Sequence, residues 1–137
     1  MMTNLKKIKQ LKIRIKYLRQ RAAEMRQKAM SLGSPALDKD IVQTSGAGDK
    51  MAEQVAAYLD LEREAEEIAL KLEKRRQAII DQILSMEDHR HAEVLYKSYV
   101  EDKRLKVIAS EMGYEYGYIR NLKQKAERIF SESCDKM

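Results

Sequence analysis

The 137 residues contain no Trp, one Phe, one Pro and one Cys, and only five Gly. With Cys134 alone, an intramolecular disulfide framework is excluded and a reducing compartment is the simplest expectation. Aromatics at 6% exclude a thick aromatic core, and the scarcity of Pro and Gly leaves few places where a helix could break. No uninterrupted apolar run approaches the roughly 20 residues of a membrane-spanning helix, and the N-terminus lacks a signal peptide's apolar core. A soluble, cytoplasmic chain without membrane contact is therefore expected.

Catalytic groupings are also missing. No Ser/His/Asp, Cys/His or cation-binding constellation stands out, so no enzyme activity, catalytic residue or cofactor is expected. His89 and His91 lie two apart, which on a helix separates them by roughly 200°, and further ligands are lacking nearby, so no metal is expected. The Ser-Gly-Ala-Gly run at 45–48 has no preceding strand and no Gly-Lys-Ser/Thr ending, which argues against a phosphate loop.

What the chain has is charge and helical periodicity. Charged residues reach 36% and the net charge is +5, which suits an acidic partner. Residues 1–32 hold ten Lys or Arg against Glu24 alone, and residues 49–88 hold six basic against eleven acidic. In residues 89–137 ten basic face eight acidic, so the excess of positive charge lies mostly in the first segment.

That segment carries Ile8, Leu11, Ile15, Leu18, Ala22, Met25, Ala29 and Leu32 at alternating spacings of three and four, the seam of a coiled coil. A helix over 5–32 is about 42 Å long, too narrow to bury its stripe alone. Residues 33–48 hold three of the glycines and the only proline and read as a loop. Asp49 is a candidate cap for a second helix over about 50–85, with Val55, Tyr58, Leu61, Ala65, Ile68, Leu72 and Ile79 as its seam and Arg75 as an interruption. Two matching seams predict a long antiparallel, coiled-coil-like hairpin over 1–86, and the acidic run Glu62, Glu64, Glu66 and Glu67 complements the basic first helix. Pairing between chains, giving a homo-oligomer through these helices, satisfies the same pattern.

Residues 87–130 read as a three-helix domain, and 131–137 as a disordered tail. Ser85 or Asp88 can start a helix bearing Ala92, Leu95, Tyr96 and Tyr99, and Glu101-Asp102-Lys103 makes the following turn. Leu105, Ile108, Ala109 and Met112 then share a face before Gly113, and Ile119, Leu122, Ala126 and Ile129 share one after it. Glycine takes the left-handed conformation of a helix end without a Cβ clash, so two amphipathic helices meet at a corner, a helix-turn-helix. Of Tyr114, Tyr116 and Tyr118, one is expected in the core, Tyr114 first, with another towards DNA.

Opposite the second apolar face, Gly117, Arg120, Asn121, Gln124 and Arg128 form a polar stripe. Arg matches two acceptors on guanine, and Asn or Gln matches the acceptor and donor of adenine. The candidate base contacts are Tyr116, Gly117, Arg120, Asn121 and Gln124, on a helix over 115–130. The candidate phosphate contacts are Lys106, Tyr118, Lys123, Lys125 and Arg128. A solvated helix face fits the same stripe equally well.

The run Leu105, Ile108-Ala109, Met112-Gly113-Tyr114, Ile119-Arg120-Asn121-Leu122 and Lys125-Ala126, preceded by Glu93-Val94-Leu95 and Tyr99, resembles region four of bacterial sigma factors over about residues 83–130. With Val42-Gln43-Thr44-Ser45 in a central loop, the layout resembles small phage-encoded regulators that carry a sigma-like helix-turn-helix behind a helical N-terminal half. The resemblance implies binding of double-stranded DNA at promoters, contact with RNA polymerase, and phage or prophage late-gene control. Glu115 stands where sigma factors place a capping Ser or Thr, and Tyr116 where they place a basic residue, so no promoter sequence carries over. A small terminase-like protein of DNA packaging also joins a helix-turn-helix to oligomerising helices, and an adaptor module without DNA binding is a third reading.

Overall fold

The computed structural model describes residues 4–32 and 45–135, and every regular element in them is helical. The fold is all-α, a long antiparallel pair, α1 (Asn4–Leu32) and α2 (Ser45–Leu84), followed by smaller packed helices α3 (His89–Leu95), α4 (Leu105–Met112) and α5 (Tyr116–Asp135). No helix among the described residues is long and apolar enough to cross a membrane.

Two compact units divide the chain. The first spans 14–72 and buries Ile15, Ala22, Met25 and Ala29 of α1 with Ala65, Ala69 and Leu72 of α2. Four of these seven side chains are methyl groups, which let helix backbones approach closely, while Lys28 reaches over the Tyr58 ring, 5.8 Å from its centroid. The second unit takes residues 1–13 together with 73–137. Leu5, Ile8 and Leu11 are buried there along with Ile79, Ile80 and Ile83.

The expected α1 seam is the buried one, with Leu18 and Leu32 only half-buried. On α2 the expected Ala65, Leu72 and Ile79 are buried, and one seam position differs. Ile68 is exposed and Ala69 fully buried, so the buried series Ala65, Ala69, Leu72, Ile79, Ile83 keeps alternating spacings of four and three through position 76. Arg75 is exposed and interrupts nothing; Arg76 occupies the seam position, with its Nη1 3.7 Å from Glu73 and its Nε buried without a hydrogen-bond partner. Asp49 caps no helix, because α2 is already under way at Ser45. Of the expected loop, 45–48 are helical and 33–44, with Val42 to Thr44, lie outside the described residues. α5 likewise continues to Asp135, past the expected end at Phe130, which leaves only 136–137 of the tail outside the description.

In the second unit Asp88, not Ser85, caps α3, accepting a hydrogen bond from the Arg90 amide at 2.9 Å. The Arg90 side chain and amide hold the Asp88 carboxyl down at about 2. Its contribution to folding is therefore complete above the ordinary aspartate pKa near 4 and fades as pH falls towards 2. α3 passes into a π-helical turn, Tyr96–Val100, which brings Ser98 and Tyr99 inward. The chain then reverses at Asp102, whose φ of +56° is tolerable for aspartate, and α4 begins.

At the α4–α5 corner Gly113 has φ +75° and ψ +31°, and the Tyr114 amide donates to the Ala109 carbonyl at 3.0 Å, the closure of a Schellman motif. Ile108, Ala109, Ile119, Leu122 and Ala126 meet beneath it, all buried. A Cβ on Gly113 would touch nothing within 4 Å, so the cost of substituting it is conformational only. Gly113→Ala is expected to lower stability by roughly 1–2 kcal/mol in urea unfolding, the left-handed penalty for an L-residue.

Candidate nucleic-acid interface

α5 turns about 100° per residue, which puts Ile119, Leu122, Ala126 and Phe130 on one side. Tyr116, Gly117, Arg120, Asn121 and Gln124, the expected base-contacting residues, fall on the other side and are all exposed. Glu115 lies just before the helix, and its carbonyl accepts the Ile119 amide at 3.0 Å, so the helix starts one residue later than expected. Glu115 thus holds the position that Ser or Thr favours elsewhere.

The expected phosphate-contacting residues divide between the two edges of this face. Lys123 sits on the edge near α4, half-buried, with Glu127 at 3.7 Å and the Tyr99 ring centroid at 5.3 Å. Lys106, exposed in the first turn of α4, lines the same edge. Tyr118 and Lys125 lie on the opposite edge, and Arg128 continues the exposed face one turn beyond Gln124. The exposed face of α5 carries hydrogen-bonding side chains at its centre and cations towards its edges, a distribution compatible with base readout between two phosphate backbones.

The tyrosines differ from expectation. Tyr114 is 40% exposed rather than in the core, and its ring packs against that of Tyr118, centroids 4.7 Å apart. The corner is already filled by Ile108 and Ile119, and the left-handed glycine turns the next residue outward. Arg90 Nη1 donates to the Tyr118 hydroxyl at 2.7 Å while Arg90 Nη2 pairs with Asp88 at 3.2 Å, so the far edge is a cluster of two phenol rings in tilted contact and a guanidinium. Nothing in the spacing of Arg90 and Tyr118, 28 residues apart, announces this link.

Tyr99 fixes the near edge. Its hydroxyl donates to Glu127 at 2.8 Å, and burial followed by that carboxylate pushes its phenol well above the ordinary value. Lys103 and Lys97 both bind Glu111, Lys103 at 2.6 Å and Lys97 at 3.2 Å, and they hold that carboxyl below its usual range. These pairs tie the turn before α4 to the helix itself. His91 is buried with Nε2 3.8 Å from Asp88, His89 is exposed, and no cluster suited to a metal ion occurs among the described residues.

No family model, curated protein or solved structure matches the chain. The interface therefore rests on its own geometry.

Gly117 offers a test of how closely the helix approaches a ligand. A Cβ there would meet no heavy atom within 4 Å. Gly117→Ala is expected to stabilise α5 by up to about 1 kcal/mol, because glycine is the poorer helix former. If the exposed stripe meets DNA, the same substitution should weaken that binding, since the methyl group stands on the stripe. Urea unfolding and binding titrations on one preparation separate the two effects, and unchanged affinity would remove Gly117 from the interface.

Proposed function

We propose that this chain is a sequence-specific DNA-binding regulator of transcription that reads the major groove with α5. One observation supports the reading most: a helix-turn-helix corner closed by a left-handed glycine exposes Arg120, Asn121 and Gln124 together on the face opposite the buried seam. Arg120 is assigned to guanine and Asn121 and Gln124 to adenine edges, Tyr116 and Gly117 to close approach, and Lys106, Tyr118, Lys123, Lys125 and Arg128 to phosphates. The resemblance to sigma region four adds contact with RNA polymerase, and the resemblance to small phage-encoded regulators adds late-gene control in the cytoplasm of a bacterial host. The long helices α1 and α2 supply a surface through which copies can associate.

Selection from a randomised pool of DNA duplexes tests the reading. A single enriched motif, bound more tightly than its scrambled version at physiological salt, is the expected result. Equal affinity for all duplexes would reduce α5 to a solvated face. Adding purified RNA polymerase to the selected duplex should then give a slower-migrating ternary complex; binding without such a complex would remove the sigma-like mechanism and leave DNA recognition.

A further inference from the structure

Along the near edge of α5 runs a groove of about 430 Å³ whose lining includes Lys9, Lys103, Arg104, Lys106, Tyr116 and Lys123. Five of these six are cations, they come from three separate segments, and no carboxylate lines the groove. Lys9 is the unexpected member, because it belongs to α1, 94 residues before Lys103 in sequence. It is held in place by Asp102 at 3.6 Å and by the Tyr99 ring at 5.3 Å, and Lys12 one turn later binds the same Asp102 at 3.2 Å. The left-handed turn at Asp102 thus docks the start of α1 beside the start of α4.

The groove also receives the N-terminal end of α4. Arg104 caps that helix without a side-chain hydrogen bond, so its first-turn amides keep free donors, and a helix end of this kind favours an anion. Lys103 and Lys123 are oriented by Glu111 and Glu127, whereas Arg104 and Lys106 form none of the ion pairs found among the described residues. Tyr116 and Lys123 are seven residues apart, so the groove follows roughly 10 Å of α5, immediately beside Arg120. An open channel that tracks a helix, with cations spread along it, suits a continuous polyanion better than one enclosed ion.

We propose that Lys9 of α1 is part of the DNA-binding surface, and that with Lys103, Arg104, Lys106 and Lys123 it seats the sugar-phosphate backbone of one strand beside the recognition helix. The inference rests on the DNA-binding reading above and extends its footprint to the N-terminal end of the chain. α1 then has two roles along its length: its first turns contact DNA, and its remainder pairs with α2.

The test uses full-length protein carrying Lys9→Ala or Lys9→Glu, titrated with the selected duplex and its scrambled version across a salt series. Lys9 is exposed, so circular dichroism should show an unchanged fold. Lys9→Ala should lower affinity for both duplexes by the same factor and reduce the slope of log affinity against log salt by about one. Lys9→Glu should lower affinity further. Lys16→Ala, the same charge change at an exposed position of α1 in the other unit, should leave the slope unaltered. An unchanged slope for Lys9→Ala, or an equal loss for Lys16→Ala, would overturn the proposal while leaving DNA recognition by α5 standing. Tighter binding to single-stranded RNA than to the duplex would overturn it in favour of a different polyanion, and wild-type protein that binds no duplex would overturn both readings.

Discussion

Alanine at both Arg120 and Asn121 is expected to abolish discrimination between the preferred duplex and a scrambled one. Each bidentate base contact is worth about 1–3 kcal/mol, so the pair contributes roughly 2–6 kcal/mol if independent, and less if the neighbours act together. The residual affinity should equal that of the wild-type protein for scrambled DNA, because the cations at the edges of α5 remain. Both side chains are exposed, so their loss should change folding stability by less than about 0.5 kcal/mol. Competition titrations at one salt concentration measure the ratio. Full discrimination retained by the double variant would show that α5 does not read bases.

Ile119→Ala carries the opposite expectation. Ile119 is fully buried at the helix-turn-helix corner, in the unit that also buries Ile108, Leu122 and Ala126. Removing its branched side chain leaves a cavity, and such changes cost about 2–5 kcal/mol. Against a typical domain stability of about 5–15 kcal/mol this is a large fraction, and it should appear as a lowered urea midpoint for the second unit. DNA binding should fall only to the extent that the unit unfolds. A midpoint shifted by under about 0.5 kcal/mol would mean that the corner is not packed as described.

Much of the architecture was legible because helical periodicity and one glycine are strong signals. The α1 seam could be read residue by residue from its heptad spacing, and Gly113 marked the corner because apolar faces ran up to it from both sides. On α2 the expected seam differs from the buried one at Ile68, because Ile68 and Ala69 are both apolar and spacing alone does not choose between them. Burial chose the alanine, which keeps the spacing of four and three. The π-helical turn at Tyr96–Val100 has no pattern of its own, and its effect is to carry Tyr99 inward to Glu127. The exposed stripe on α5 could be predicted from spacing alone. The groove beside it could not, because Lys9 meets Asp102 and Tyr99 only through the fold.

The most direct measurement of the central claim is a nuclear magnetic resonance titration of isotopically labelled full-length protein with the selected duplex. If α5 enters the major groove, the largest amide shifts fall on Tyr116 to Gln124, with smaller ones at Lys103 to Lys106. Shifts confined to residues 14–72, with the α5 amides unmoved, would contradict the assignment and place the nucleic-acid surface on the helical pair.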